Sequence, residues 1–179
     1  MRFSIFTIAA LSLALLIQPA SAHGPTRQKV AIKTTVAASP DEVWAVIGNF
    51  QDMSWHPAVH SATGENGNAV DATRVLTLGE AGGPTISEVL YKYSAEKRSY
   101  SYRITDVKVE VLPVTNYSSH LTVRPAGSGS EIEWRGAFYR GFPNNDPPPE
   151  LNDEAAVAAV TGVYEAGLQA LRERFGAGN

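Results

Sequence analysis

Five short stretches with the composition of β-strands follow one another between residues 73 and 139. Each alternates apolar with polar residues or is rich in β-branched and aromatic side chains, which suit a pleated surface. Strands are predicted at residues 73–78, 85–93, 99–104, 117–123 and 131–139. Turns rich in Gly, Asn and Ser separate them, and links this short join antiparallel neighbours. The pattern therefore predicts an antiparallel meander.

Helical segments and one further strand surround this meander. A strand is predicted at residues 28–36, a helix beginning at the capping residue Ser39, and a second short helix at residues 53–55. A long terminal helix beginning near Asp153 carries an apolar stripe at spacings of three and four. The stripe consists of Val157, Val160, Tyr164, Leu168 and Leu171. This order predicts an α+β fold in which a curved antiparallel sheet buries one face against the terminal helix.

The first 22 residues have the composition of a secretion signal. A positive start, Met1-Arg2, precedes an apolar run to Ile17, and the small residues Ala20 and Ala22 fit the signal peptidase. We expect cleavage after Ala22, export to the periplasm of a Gram-negative bacterium, and one mature domain over residues 23–179. The alternative is a membrane anchor, but about 15 apolar residues are short for about 30 Å of hydrocarbon. No membrane span is expected after cleavage.

Composition excludes several classes of function. The chain has no cysteine, which excludes disulfides, thiol catalysis and cysteine-ligated metal sites. Its formal net charge is −3, and the sequence has no basic stripe, so nucleic acid is not an expected partner.

The alternation along the strands predicts which side chains face the terminal helix. The inward set comprises Tyr100, Tyr102, Ile104, Tyr117, Ser119, Leu121, Val123, Ile132, Trp134, Gly136 and Phe138. Glu88 is ambiguous, because it faces inward if Ile86 and Leu90 do, and outward if Val89 and Tyr91 are the buried pair. A buried carboxylate would need a hydrogen-bond donor or a proton.

The order of elements, with Ser39-Pro40-Asp41-Glu42-Val43-Trp44 opening the first helix, resembles the START-like superfamily. This superfamily, also called SRPBCC or Bet v 1-like, includes polyketide cyclase/dehydrase and lipid-transport proteins. Several segments are more narrowly similar to MxaD-like proteins, which are exported and encoded with bacterial methanol oxidation genes. They include His23-Gly24-Pro25, Trp55-His56-Pro57-Ala58-Val59, Leu112-Pro113-Val114, Phe138-Tyr139-Arg140 and Val160-Thr161-Gly162-Val163-Tyr164.

The resemblance implies a helix-grip fold, with about seven strands wrapped on the C-terminal helix and a cavity between them. It also implies that Glu88 points into this cavity. The expected ligand-cavity residues are Trp55, Glu88, Tyr102, Ile104, Tyr117, Ser119, Trp134, Gly136, Tyr164 and Leu168. For MxaD-like proteins the implied role is accessory, namely promoting electron transfer from methanol dehydrogenase to its cytochrome.

Few side chains suggest chemistry. His56 and His60 are four residues apart, but Pro57 between them makes a shared helical face doubtful, and no third ligand accompanies them, so no metal site is expected. No cofactor is expected either. The one catalytic option is acid–base work by Glu88 with Tyr102 or Tyr117.

Three functions remain open. The first is a non-catalytic accessory protein acting on methanol dehydrogenase and its cytochrome. The second is a carrier of a small hydrophobic ligand, and the third, less favoured, is a cyclase or dehydratase using Glu88. For the first, Phe142 and Asn145 in the proline-rich segment 141–150 are candidate docking residues, because prolines lower the entropy lost on binding. The alternative is that this segment is a stiff connector to the terminal helix.

Overall fold

The computed structural model describes residues 24–178, so the leader predicted at residues 1–22 lies outside the described part of the chain. The described residues include seven strands, two α-helices and one 3₁₀ turn. The strands are β1 Gln28–Val36, β2 Val59–Glu65, β3 Thr73–Leu78, β4 Thr85–Ser94, β5 Ser99–Val107, β6 Val114–Ala126 and β7 Gly129–Arg140. The helices are α1 Pro40–Ile47 and α2 Asp153–Phe175, and the 3₁₀ turn is Pro149–Leu151.

The strands form one antiparallel sheet in the order β1-β7-β6-β5-β4-β3-β2. Strands β3 to β7 form the predicted meander, β2 extends it at one edge, and β1 joins it at the other by pairing with β7. The register is interrupted by irregularities, including one between Leu90 and Lys92 on β4 and one between Thr115 and Ser118 on β6. Such bulges bend the strands and increase their twist, which helps the sheet to curve.

Helix α1 begins where the sequence predicts it. Ser39 accepts a hydrogen bond from the backbone N–H of Glu42, and the Glu42 side chain accepts one from the backbone of Ser39, which completes a capping box. Hydrogen bonding to Ser39 lowers the pKa of Glu42. The buried side of the helix carries Val43 and Ile47.

The second short helix predicted at residues 53–55 does not form. Residues 50–58 make successive turns instead, with hydrogen bonds from His56 N to Met53 O and from Val59 N to His56 O. The Asp52 side chain accepts from Ser54 N, which offers the backbone an alternative to a helix. Pro57 has no N–H to extend one.

Helix α2 lies across the inner face of the sheet and packs on β1 and β7. Its buried residues are Ala156, Val160, Tyr164, Gly167, Leu168 and Leu171, while Val157 of the predicted stripe is half-buried. Asn152 caps its first turn, and beyond its last turn Gly178 N donates to Thr35 O on β1. The predicted α+β helix-grip fold is confirmed. No helix within residues 24–178 has the length and apolar character needed to span a membrane.

Candidate functional site

The space between the sheet and α2 is occupied mainly by aromatic side chains. Of the ten predicted cavity residues, eight are buried, and Ile104 and Gly136 are partly buried. Trp134 is 1 % exposed, and its ring stacks on that of Tyr164 with 4.4 Å between centroids. Trp55 packs against Trp134 at 5.7 Å. These residues therefore contact one another and fill much of the space they were expected to line.

Tyr164 fastens the helix to the sheet through its hydroxyl group. Its Oη lies 2.6 Å from Tyr117 Oη and 3.1 Å from Ser119 Oγ, both on β6. Room for it comes from Gly136 on β7, because a Cβ atom at that position would lie 2.2 Å from Tyr164 Oη. The glycine in the otherwise bulky inward row of β7 is thus explained by the tyrosine opposite it.

Trp134 is the centre of a second set of hydrogen bonds. Its Nε1–H donates to Ser119 Oγ at 2.9 Å and, at 3.2 Å, to Tyr102 Oη. Ser119 Oγ in turn donates to the backbone oxygen of Arg135 at 3.0 Å. The buried indole and hydroxyl groups satisfy one another, as buried polar groups generally must.

Glu88 points inward, and it is paired with Arg74, a residue that our reading of the sequence did not single out. Arg74 Nε donates to Glu88 Oε2, and Arg74 Nη1 donates to the backbone oxygen of Phe50. The guanidinium also lies 4.3 Å from the centroid of the Phe50 ring and 5.0 Å from that of Tyr102. The pairing follows from the register, because Arg74 on β3 is directly opposite Glu88 on β4.

Burial controls the protonation of these groups. It raises the pKa of Glu88, and the charge of Arg74 opposes this rise. Burial also raises the pKa values of Tyr102, Tyr117 and Tyr164, so these hydroxyls stay neutral near pH 7. A carboxylate engaged by an arginine and three neutral phenols can hold a polar group in place, and this arrangement favours a structural or binding role over proton transfer.

His56 is buried rather than placed for metal binding. Its Nε2 lies 2.9 Å from the backbone oxygen of Val163 on α2, and its Nδ1 accepts from Ala58 N at 3.2 Å. One ring nitrogen thus donates and the other accepts, which is the pattern of a neutral imidazole. Burial accordingly lowers the pKa of His56. His60 is exposed on β2, and no three metal-ligating side chains cluster within residues 24–178.

A small cavity of about 80 Å³ remains beside this network. Five predicted residues contribute to its wall, namely Glu88, Tyr102, Ile104, Tyr117 and Trp134. The other predicted residues, Trp55, Ser119, Gly136, Tyr164 and Leu168, lie in the packed interior. Apolar side chains that were not predicted complete the wall, among them Met53, Leu76, Ile86 and Leu112.

Alternation along β3 could have identified Arg74 from the sequence. If Leu76 faces inward, Arg74 does too, and an inward arginine on the strand next to an inward glutamate predicts an ion pair. The role of His56 carries no such signal, because it depends on where a loop meets α2.

The segment 141–150 forms an exposed connector that is fastened at its base. Arg140, which is 8 % exposed, donates to the backbone oxygens of Phe142 and Asn144 and to the carboxylate of Asp153. Phe142 is half-buried, whereas Asn145 is fully on the surface.

Comparisons with known proteins extend these findings. The XoxI protein of Bacillus cereus is 31% identical, with a TM-score of 0.68 over 82% of this chain and 94% of that one. A major latex-like protein from Panax ginseng shares the fold at 10% identity, with a TM-score of 0.63 over 83% of this chain and 97% of that one. An amylopullulanase of Thermoanaerobacter thermohydrosulfuricus is 26% identical over an alignment 162 residues long, which covers 76% of this chain but only 10% of that protein.

The polyketide cyclase / dehydrase and lipid transport family matches residues 27–176, which is nearly all of the described chain. The match includes every strand from Gln28 onward and the whole of α2, so it covers both halves of the grip and the cavity between them. This chain belongs to the polyketide cyclase / dehydrase and lipid transport family.

Proposed function

We propose that this chain is an exported accessory protein of bacterial methanol oxidation, which promotes electron transfer between methanol dehydrogenase and its cytochrome without catalysing a reaction itself. The observation that carries the proposal is the filled interior. Most of its polar groups pair with one another, with Trp55 Nε1 and Arg74 Nη2 as exceptions among residues 24–178. Its cavity of about 80 Å³ is well below the roughly 300–1,000 Å³ of small-molecule sites. A function exerted from the surface fits such an interior best, and the segments similar to MxaD-like proteins support this role.

The proposed contact with the partners is the tip of the segment 141–150. Because Arg140 holds the backbone at Phe142 and Asn144, the exposed Asn145 is presented on a loop that is already ordered. An ordered loop loses less entropy when a partner binds it.

The test measures reduction of the cytochrome by its cognate methanol dehydrogenase with and without this protein. We expect the unmutated protein to accelerate reduction and Asn145→Arg to remove most of the acceleration, with an unchanged circular dichroism spectrum. The matched control is Ala95→Arg, which adds the same charge at the exposed β4–β5 turn. That turn lies at the other end of the sheet from the loop. It precedes Ser99, which pairs with Thr122 near the end of β6, whereas the loop follows Arg140, which pairs with Val114 at the start of β6.

The outcomes separate the loop from the function. If Asn145→Arg accelerates cytochrome reduction as fully as the unmutated protein does, this loop is rejected as the docking site. If Ala95→Arg loses as much of the acceleration as Asn145→Arg, the loss is due to the added charge and not to its position. If the unmutated protein does not accelerate reduction, the accessory function itself is wrong. The protein for this test is purified from the periplasm of its host. The proposal requires the exported protein to begin at His23, which mass spectrometry of the same preparation checks.

A second candidate function is the binding of a small hydrophobic ligand. The observation that favours it is the wall of the cavity, which is mainly apolar and also carries Glu88, Tyr102 and Tyr117. Native mass spectrometry of the same preparation decides between the two. A retained small molecule, without acceleration of cytochrome reduction, would replace the accessory proposal by a carrier function.

A further inference from the structure

The outer face of the sheet, which points away from α2, contains a depression of about 460 Å³. A row of side chains crosses it from rim to rim over four strands, because Lys92 on β4 is opposite Ser101, Ser101 is opposite His120, and His120 is opposite Arg135. The irregularity between Leu90 and Lys92 shifts the register of β4, so that Leu90 stays buried while Lys92 is exposed at the edge of the row.

Small side chains make the depression. Its floor carries Ser101, Ser118, Ala31 and Ala137, where an exposed sheet face usually carries long polar side chains. Ser101 is 5 % exposed, and its Oγ lies 2.8 Å from His120 Nδ1. This contact fixes the imidazole ring, and Nε2 of His120 has no hydrogen-bond partner within residues 24–178. A polar atom is therefore available at the centre of the floor.

The rim of the depression is cationic. Lys29, Lys92 and Arg135 contribute to it, and none of the three forms a salt bridge with any residue that the structure describes. The field they produce also acts on His120, whose pKa is lowered by burial and further by Arg135, Arg124 and Lys92, with Glu133 opposing. Three unpaired cations around one recess are notable in a chain whose formal net charge is −3.

We propose that this depression binds a small anion that carries phosphate or carboxylate groups. Lys92 and Arg135 would pair with the charged oxygens, since hydrogen bonds between ionised partners are the strong ones. His120 would donate from Nε2, with its ring held by Ser101. The volume lies within the range of about 300–1,000 Å³ that is typical of small-molecule sites, unlike the interior cavity.

The experiment is an NMR titration of the His120 ring with two probes, inorganic phosphate and citrate, at constant ionic strength maintained with sodium chloride. We expect at least one probe to shift the His120 resonances saturably and to raise the pKa of His120. Replacing one rim cation, by Lys92→Gln or Arg135→Gln, should weaken binding by roughly tenfold. Both residues are exposed, so folding should be unaffected.

The matched control is Lys33→Gln, which removes the same charge from β1 at a lysine that is paired with Glu131 at 3.0 Å. Unchanged affinity in this variant supports the site. The proposal is overturned if neither probe gives a saturable shift, or if Lys33→Gln weakens binding as much as the rim variants. A third titration uses an acidic peptide, and the proposal is also overturned if only this peptide binds, since the face would then dock protein. Saturation by phosphate but not citrate, or the reverse, assigns the anion class.

Discussion

Arg74 and Glu88 form a buried ion pair in which each charge offsets part of the desolvation cost of the other. Both side chains are almost completely removed from solvent, with 0% and 5% exposed. Desolvating two ions costs several kcal/mol each, and their attraction offsets this only while both are present. Removing one partner is therefore worse than removing both.

Replacement of Arg74 by methionine should lower the free energy of unfolding by about 3–5 kcal/mol, because it leaves the Glu88 carboxylate buried without a partner. The double variant Arg74→Met, Glu88→Leu should recover most of this loss. Chemical denaturation measures both. The control is Lys33→Met, which breaks an exposed pair with Glu131 and should change stability by less than about 1 kcal/mol. A double variant as unstable as the single one would contradict the argument.

The stability of the Arg74→Met variant should also depend on pH in a distinct way. Burial raises the pKa of Glu88, so the folded state binds its proton more tightly than the unfolded state does. The slope of stability with pH is then negative. Without Arg74, stability should be greatest below the unfolded pKa of about 4.3 and should fall as pH rises through the folded pKa. In the double variant this decline should be absent.

At the residue scale, the inward tyrosines of the sheet and Trp134 could be predicted from the sequence, because strict alternation along their strands puts them on the apolar face. Arg74 was not predicted as a core residue, because arginine is usually exposed and only its pairing with Glu88 across β3 and β4 makes its burial favourable. For Glu88 the alternation left both faces open, and the burial of Ile86 and Leu90 places it inward.

Among the elements, the contact between α2 and the sheet depends on the match between Gly136 and Tyr164. The glycine leaves the space that the phenol enters, and the hydroxyl then reaches two partners on β6. The helix is therefore positioned by directional hydrogen bonds as well as by apolar packing.

Gly136→Ala should destabilise the protein by about 1–3 kcal/mol, because the added methyl group overlaps Tyr164 Oη. Tyr164→Phe removes that oxygen, so the double variant should lose less than the sum of the two single losses, with a coupling of about 0.5–3 kcal/mol. Urea denaturation completes the cycle. Gly162→Ala on the exposed side of α2 is the control, and it should stabilise by up to about 1 kcal/mol since nothing lies within 4 Å. Strict additivity at positions 136 and 164 would contradict the proposed contact.

The elements that the sequence predicted well are those that bury a regular face. The predicted strands of the meander fall within β3 to β7, and α1 begins at its capping box. Strand β2 was not predicted over its length, because most of its residues are exposed and its pairing with β3 supplies the order. The short helix expected at residues 53–55 was wrong because hydrogen bonds of the side chain of Asp52 and the position of Pro57 favour turns.

On the scale of the whole molecule, the predicted cavity residues converge, but they largely fill the space between the sheet and α2. Pattern analysis shows which side chains face inward and cannot show whether they leave room, since volume depends on how aromatic rings stack across elements. Trp134 decides this here, because its ring contacts Trp55, His56 and Tyr164 and also lines the remaining cavity.

Trp134→Ala should therefore open enough space between the sheet and α2 for a ligand to bind. The loss of a fully buried ring should cost about 3–5 kcal/mol, and a loss under about 1 kcal/mol would mean that the ring lies at a cavity rim. The void joins the cavity of about 80 Å³, so added indole should bind and raise the melting temperature of the variant. Leu171→Ala, at a buried site outside the cavity wall, is the control and should not respond to indole. Because indole can donate to Ser119 as Trp134 does at 2.9 Å, 1-methylindole should stabilise the variant less. An equal response of the unmutated protein to indole would mean that the grip already opens without the substitution.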